Sequence, residues 1–504
     1  MNTFMNGLQN ATNYKYTENG AVAHKTTNSA VYDMFALGAA YRSRSIEDCI
    51  LLFKKAFEEN AELALKCLFW IRDCRGGAGE RRFFRVCLHW LAIEYPQVVS
   101  RNLAFIPEMG RYDDFYELVN TPVEYVMFAM VRNQLEKDME DIMTGKPNIG
   151  ISLIAKWLKS ENASSQETKR LAKRTREALG LSARAYRKTL SRLREHIKVL
   201  ERLMSTNRWD EIDFSKIPSK AGLVYRNAFA RRDIIAKKYE AFAKDKTTKV
   251  NAKTLYPYEI VERAHGCVYA SSDNVDRLMV NKYWESLPDY LNGADCSMMC
   301  VVDTSGSMRG TPIDVAISLG MYCAERLNGP FKNNYISFAS RPQLINIEGV
   351  DFVDKVNRIY RTNLCDNTNL TAVFDLLLSI ARDPKVKKED IPRSIVVISD
   401  MEIDEGTGSR WRFHSSDWDR WTRENAATEM ERIRAKWAAY GFELPRLIYW
   451  NVDSRNSNTI LDSGPNVSFV SGFSPTIFKS VLTGKSGYEL MIETICAEKY
   501  QSIK

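Results

Sequence analysis

The residues of this chain best suited to hold a metal ion are one aspartate and two serines at alternate positions, Asp303, Ser305 and Ser307. They follow the apolar run at 296–302, which is typical of a buried strand. Because ligands of an open α/β sheet collect where loops leave the carboxyl ends of its strands, these oxygens can converge on one cation. Mg²⁺ takes oxygen ligands and often keeps waters, so an incomplete protein shell suits it. The serines could also cap the next helix, a role compatible with metal binding.

The segment Asp303-Thr304-Ser305-Gly306-Ser307 resembles the Asp-x-Ser-x-Ser signature of the metal-ion-dependent adhesion site (MIDAS) in von Willebrand factor A domains. Two later segments fit the same family: Asn-Thr-Asn at 367–369 precedes a helix pattern, and a second apolar run at 396–399 ends on an aspartate. The resemblance implies a domain that binds Mg²⁺, or another divalent cation such as Mn²⁺ or Ca²⁺, with a carboxylate or phosphate of a partner completing the shell. The metal ligands that it implies are Asp303, Ser305, Ser307, Thr368 and Asp400.

Two kinds of element order divide the chain. From residue 30, short helix patterns follow one another, which predicts stacked helical pairs of the HEAT or armadillo kind; whether they close into a ring is left open. From residue 295, strands and helices alternate, which predicts a mainly parallel, doubly wound, Rossmann-like sheet. Since 504 residues exceed what one core usually serves, we expect a multidomain α plus α/β protein. Its expected parts are a polar N-terminal arm (1–29), a HEAT-like helical domain (30–293) and a von Willebrand A domain with a C-terminal helix (294–504).

Positive charge is concentrated in residues 156–245, which contain 23 Lys and Arg against 11 Asp and Glu, whereas the whole chain has a net charge of +8. Basic residues repeated along helices can bind phosphate backbones, and interleaved aromatic residues such as Tyr186 and Trp209 can stack on unpaired bases. A solvated basic helix face is the alternative. The candidate RNA-binding residues are Lys169, Arg170, Lys173, Arg174, Arg176, Arg184, Arg187, Lys188, Arg192 and Arg194.

The helical half resembles a group of uncharacterised plant, viral and microbial proteins that join such a region to a von Willebrand A domain. The similarity rests on the segments 156–162, 179–188, 209–214 and 217–221, and on Val-Ser-Gly-Phe-Ser-Pro at 470–475. The layout is similar to that of the Ro family, in which a ring of HEAT-like helices (the TROVE module) is closed by a von Willebrand A domain and binds small or misfolded RNAs. This likeness implies an RNA partner and a role in a ribonucleoprotein.

An aromatic insertion follows Asp400 directly and must emerge beside the predicted metal site. Trp411, Trp418 and Trp421 lie in it and are candidates for contact with a partner, because tryptophan is enriched at interaction hot spots. A flap whose tryptophans pack on this protein itself explains the same sequence equally well.

Three functions fit these features: a metal-dependent scaffold that binds RNA, a metal-dependent protein–protein adaptor without nucleic acid, and a metal-dependent hydrolase. The hydrolase is least favoured, so we expect no enzyme, because the five histidines share no motif and no second carboxylate cluster offers a general base. No apolar run approaches the ~20 residues of a membrane span. With ten scattered cysteines that read as reduced thiols, the sequence predicts a cytoplasmic protein.

Overall fold

The computed structural model describes residues 13–144, 150–292, 297–338, 341–362, 369–403, 428–455, 459–462, 464 and 466–504. A helical region comes first and a domain built on a mixed sheet follows it, which confirms the predicted combination of α and α/β parts. The HEAT-like character of the helical region stays a prediction. None of the helices in the described part of the chain combines the length and apolar character that a membrane span requires.

Short, capped helices make up the region before the sheet. The helix Ala183–His196 shows why they form: the Ser182 side chain accepts a hydrogen bond from the N–H of Ala185, and Tyr186, Leu190 and Leu193 bury one face. The α-helices of this region are Ala30–Leu37, Ile46–Glu59, Ala61–Arg72, Arg82–Glu94, Pro96–Asn102, Phe105–Met109, Glu124–Met143, Ile154–Trp157, Gln166–Ala178, Ala183–His196, Leu200–Ser205, Ser219–Arg231, Asp233–Lys244, Pro257–His265 and Val275–Glu285.

Six strands form the main sheet, in the spatial order β5-β4-β3-β6-β7-β8. The β4–β5 pair is antiparallel and the other pairs are parallel. Nearly every residue of β3, β6, β7 and β8 is buried, so both faces of the sheet are covered. The strands are β3 (Met298–Val302), β4 (Asn334–Ser337), β5 (Gln343–Asn346), β6 (Ser394–Ser399), β7 (Arg446–Asn451) and β8 (Val467–Ser471).

Helices alternate with these strands. The helix Thr311–Arg326 packs on β3 through Gly320, where an added Cβ would lie 2.5 Å from Val302 Cγ2. Only glycine allows so close an approach to the strand that leads into Asp303. The helices of the sheet domain are Thr311–Arg326, Phe352–Arg361, Leu370–Ala381, Glu429–Ala439, Phe478–Val481 and Gly487–Ile495.

Both ends of the helical region reach the sheet domain and each other. At its start, the Tyr32 hydroxyl accepts a hydrogen bond from the N–H of Phe469 in β8, at 3.0 Å. Near its end, the Tyr256 hydroxyl donates to the carbonyl of Gly79 at 2.9 Å, and so joins a late helix to an early loop. A late helix of the region therefore contacts the loop that precedes the helix Arg82–Glu94.

The predicted polar arm contains an antiparallel pair of short strands, β1 (Tyr14–Tyr16) and β2 (Val22–His24). The turn between them lies against the segment after Asp400: the Glu18 N–H donates to Glu402 Oε2 at 2.7 Å, and the Thr17 hydroxyl donates to the carbonyl of Ile403 at 2.7 Å. The arm thus borders the predicted metal site.

Candidate metal site and basic cavity

Two neighbouring parallel strands bring the predicted aspartates together. In the register of β3 and β6, Val302 lies opposite Ile398, and the Asp303 N–H donates to the Ile398 carbonyl at 2.9 Å. Asp303 and Asp400 therefore follow adjacent strand ends at one edge of the sheet. Met401, directly after Asp400, is buried and has a φ of +65°, in the left-handed region that favours glycine. Such strain is found preferentially at functional sites.

Asp303 organises the oxygen atoms around it. Its Oδ1 accepts the N–H of Ser305 at 2.9 Å, and its Oδ2 accepts the Ser399 hydroxyl at 2.6 Å. The hydroxyl oxygens of Ser305 and Ser307 lie 3.0 Å apart. The structure therefore brings the three residues of the Asp-x-Ser-x-Ser segment together, although Asp303 itself is 0% exposed.

Asp400 is held by an arginine that sequence reasoning missed. Its Oδ2 accepts Arg455 Nη2 at 2.7 Å, and its Oδ1 accepts the N–H of Glu402 at 3.2 Å. The same Arg455 nitrogen also donates to the backbone carbonyl of Ser307. Arg455 follows β7, which is the parallel neighbour of β6. Its position just beyond a strand end was the sequence signal that could have revealed it.

The electrostatics of the site disfavour ionisation of Asp303. Burial, and secondly the charge of Asp400, raise the pKa of Asp303 to about 6, while hydrogen bonds from Ser399 and Ser305 act in the opposite direction. A buried carboxylate with a like charge beside it is a group that a cation can stabilise.

Four other residues predicted for this edge belong to segments that the structure does not describe. Thr368 and the three tryptophans, Trp411, Trp418 and Trp421, lie outside the described residues. Within the described ranges no group of three or more His, Cys, Asp or Glu side chains has the arrangement of a metal site. Within those ranges the predicted ligands supply two carboxylates, of Asp303 and Asp400, and two hydroxyls, of Ser305 and Ser307.

The ten basic residues predicted to contact RNA separate into three groups. Five form ion pairs with glutamates: Arg170, Lys173, Arg174, Arg176 and Arg187. Arg194 is bound within the fold, where it donates at 2.8 Å each to the carbonyls of Ala155 and Leu158 and to the Ser160 hydroxyl. The remaining four make no ion pair with a described residue: Lys169, Arg184, Lys188 and Arg192.

Three of these unpaired residues lie on one face of the helix Ala183–His196. Arg184, Lys188 and Arg192 are exposed and four residues apart, so they form a single row, hereafter the exposed stripe. Together with Lys169, the stripe is the part of the predicted RNA-binding set that makes no ion pair with a described residue.

Another face of the same helix lines a cavity of about 1100 Å³ in the helical region. Residues from 74 to 254 surround it, including the aromatic side chains of Tyr112, Trp157, Tyr186 and Tyr225. Two acidic residues, Glu161 and Glu201, are in the lining. The basic residues of the lining outnumber them and are Arg75, Arg111, Lys156, Arg187, Arg194, Arg202 and Lys220.

One curated relative matches nearly the whole chain. The uncharacterized protein L728 of Acanthamoeba polyphaga mimivirus is 30% identical over 513 residues, which cover 94% of this chain and 85% of that protein. The chain belongs to the same family as L728. Two family models also match this chain. A domain of unknown function (DUF2828) covers residues 17–111 and 151–294, and another (DUF7788) covers residues 297–502. None of these matches is described as an enzyme.

Among solved structures, the chain is similar to the crystal structure of the Deinococcus radiodurans RO (RSR) protein. It is 12% identical in sequence, and the superposition covers 94% of this chain and 100% of that chain with a TM-score of 0.39.

Proposed function

We propose that this member of the L728 family is a divalent-metal-dependent binding scaffold that binds RNA. The observation that carries the proposal is the convergence of Asp303, Ser305 and Ser307 with Asp400 at two adjacent strand ends. In this interpretation the sheet domain is a von Willebrand A domain with a MIDAS, and the helical region is HEAT-like and similar to the TROVE module.

The donor set fits a hard cation such as Mg²⁺. The side chains of Asp303, Ser305, Ser307 and Asp400 offer oxygen only, which Mg²⁺, Mn²⁺ and Ca²⁺ accept and which softer metals do not require. A cation would also offset the burial and the charge of Asp400, which together raise the pKa of Asp303. Arg455 already brings one positive charge to Asp400, so it offsets part of the negative charge that a cation would meet there.

The metal would supply a coordination position for a partner. Magnesium keeps exchangeable ligands, so a phosphate or a carboxylate can complete its shell. A protein adaptor without nucleic acid is the second candidate, since a carboxylate of a protein suits that position as well as a phosphate does. A metal-dependent hydrolase is third, because the hydrogen-bond partners of Asp303 and Asp400 among the described residues include no histidine that could act as a general base.

RNA is favoured over a protein partner by the exposed stripe. Arg184, Lys188 and Arg192 carry three positive charges in one row, without carboxylate partners among the described residues. Phosphates spaced along a strand match such a row. The eight described cysteines are free thiols, which suits the reducing cytoplasm in which we propose that the protein acts.

Calorimetric titration with Mg²⁺ tests the metal site. Asp303→Ala should weaken binding by more than the roughly 10–100-fold that loss of a ligand's outer partner causes in metal proteins. Asp375→Ala is the matched control, because Asp375 lies on the sheet domain in a surface ion pair with Lys436. Equal affinity of wild type and Asp303→Ala would remove the basis of the proposal.

Fluorescence anisotropy with single-stranded RNA over a salt series tests the second half of the function. Replacing Arg184, Lys188 and Arg192 together by Gln should weaken binding and reduce the salt slope by about 2, at roughly 0.7 per phosphate contact. The matched triple variant of Arg170, Lys173 and Arg174 removes the same charge from residues paired with glutamates, so its effect should be smaller. RNA binding that neither triple variant alters would favour the protein adaptor.

A further inference from the structure

The basic residues that line the cavity are not equivalent. Five of the seven have an oxygen partner in the fold, which fixes the side chain and offsets its charge or satisfies its donors. These partners are the Glu108 carbonyl for Arg75, Glu161 for Arg187, the Ala155 and Leu158 carbonyls for Arg194, Glu195 for Arg202 and Glu259 for Lys220.

Arg111 and Lys156 are the exceptions. Within the described residues, neither side chain has an ion pair or a hydrogen bond. Both lie against the ring of Trp157: the Arg111 Cζ is 4.8 Å and the Lys156 Nζ is 5.5 Å from its centroid. Two half-buried cations thus converge on one aromatic side chain at the wall of the cavity.

The surroundings of this pair compensate its positive charge only in part. Burial, and then the positive charges of Arg72 and Arg81, lower the pKa of Arg111 despite an opposing effect of Asp114. Burial also lowers the pKa of Lys156, with Glu201 opposing and Arg111 adding to it. Of the two acidic residues in the lining, Glu161 is paired with Arg176 at 2.8 Å, and Glu201 accepts the Tyr225 hydroxyl at 3.3 Å.

We propose that one phosphate group binds between Arg111 and Lys156, beside the ring of Trp157. The planar guanidinium can donate two parallel hydrogen bonds to phosphate oxygens, and the ammonium can donate to a third as a point charge. Both cations lie against the indole ring, which does not neutralise them. A volume of about 1100 Å³ also leaves room for whatever carries the phosphate. That carrier is either a small phosphate compound or a nucleic-acid chain, and only the second source depends on the proposed RNA-binding function.

The test uses the full chain and two probes at constant ionic strength set with chloride. Equilibrium dialysis measures the affinity for radiolabelled inorganic phosphate, which is the phosphate group alone. Fluorescence anisotropy measures the affinity for a short single-stranded oligoribonucleotide. Arg111→Gln and Lys156→Gln should each weaken binding by about tenfold or more, because each removes charge-assisted hydrogen bonds. Arg111→Lys keeps the charge but not the two parallel N–H donors of the guanidinium, so it should recover part of the lost affinity.

Arg75→Gln is the matched control, because it removes one positive charge from an exposed residue of the same lining. Thermal unfolding midpoints establish that the variants are folded. Because Arg111 and Lys156 lie in different segments of the chain, the two substitutions test the site independently. Weakened phosphate binding in both variants but not in the control supports the site with a small phosphate compound as the source. An effect confined to the oligoribonucleotide supports it with a nucleic-acid chain as the source.

Three results would overturn the phosphate site: binding of neither probe by the wild type, no change in either variant, or an equal loss in Arg75→Gln. Failure of the RNA function is a different outcome. A wild type that binds inorganic phosphate through Arg111 and Lys156, but no RNA, would contradict the RNA-binding function and leave the phosphate site intact.

Discussion

The molecule contains two pairs of neighbouring acidic residues with opposite surroundings. In the helical region, Asp114 is 0% exposed and bonded to Arg72 at 2.7 Å and to Arg85 at 2.7 Å, while the adjacent Asp113 bonds Arg85 and Lys159. At the sheet edge, Asp303 is equally buried, but its partners among the described residues are only hydroxyl and N–H groups, and Asp400 has one arginine there.

The pKa shifts of the two pairs reflect this difference. Burial opposes ionisation of Asp113, but hydrogen bonds from Lys159 and Arg85 outweigh it, so the pKa of Asp113 lies below its ordinary value. For Asp303, burial and the charge of Asp400 act together, and the pKa rises to about 6. An acidic pair saturated with arginine and lysine stabilises the fold, whereas a pair short of cations is available to a metal ion.

The largest effect on the free energy of unfolding should come from removing a carboxylate of the saturated pair, Asp113 and Asp114. Asp114→Ala leaves Arg72, which is itself 2% exposed, without its carboxylate, and should lower the free energy of unfolding by about 3–5 kcal/mol. Urea titration followed by circular dichroism measures it. Glu58→Ala is the control, because it removes an exposed pair with Lys54 and should cost at most about 0.5 kcal/mol. Similar losses in both variants would show that saturation of the buried pair is not what stabilises this region.

The pair Asp303 and Asp400, hereafter the unsaturated pair, should behave in the opposite way: loss of the negative charge of Asp303 should not destabilise the fold. Because the pKa of Asp303 is raised on folding, the folded protein retains a proton that the unfolded chain loses between about pH 4 and pH 6. Without divalent metal, the contribution of Asp303 to the free energy of unfolding is therefore fully present below pH 4. This contribution, about 2–3 kcal/mol, is lost as the pH rises through 6.

Asp303→Asn should flatten that fall and be no less stable than wild type at pH 7, since it removes a charge that the folded state disfavours. Urea titrations in EDTA at several pH values between 4 and 7 provide the comparison. An Asp303→Asn protein that is clearly less stable than wild type at pH 7 would mean that the ionised carboxylate stabilises the fold, as in the helical region.

The distinction between saturated and free groups also divides the arginines near the end of the helix Ala183–His196. Arg194→Ala removes three hydrogen bonds from a charged donor and leaves two carbonyls without them, so we expect a loss of about 2 kcal/mol in the free energy of unfolding. Arg192→Ala, two residues earlier and exposed, should leave stability within about 0.5 kcal/mol of wild type. Weaker RNA binding with unchanged stability in Arg194→Ala would reverse this assignment.

Local spacing explains which parts of these sites could be predicted. Asp303, Ser305 and Ser307 follow one strand, and Asp400 ends the neighbouring one, so an apolar pattern and a register suffice to bring them together. Arg194 and Arg192 look alike in sequence, because only the position of the loop around Ala155 and Leu158 determines which of them is enclosed. Arg111 and Lys156 are far apart in the chain, and their convergence on Trp157 depends on helix packing that no local pattern encodes.

The smallest effect concerns the one arginine at the unsaturated pair. Arg455 donates to Asp400 Oδ2 at 2.7 Å and to the Ser307 carbonyl, so its charge competes with a metal ion for the same edge. Arg455→Met should therefore raise the affinity for Mg²⁺, but only about two- to fivefold, because a partly exposed ion pair contributes at most about 1 kcal/mol. Calorimetry of this variant beside Arg432→Met, which removes a comparable arginine from a pair with Glu429, measures the difference. A lower affinity in Arg455→Met would instead mean that the guanidinium positions Asp400 for the metal, and the two acidic pairs would then both depend on arginine.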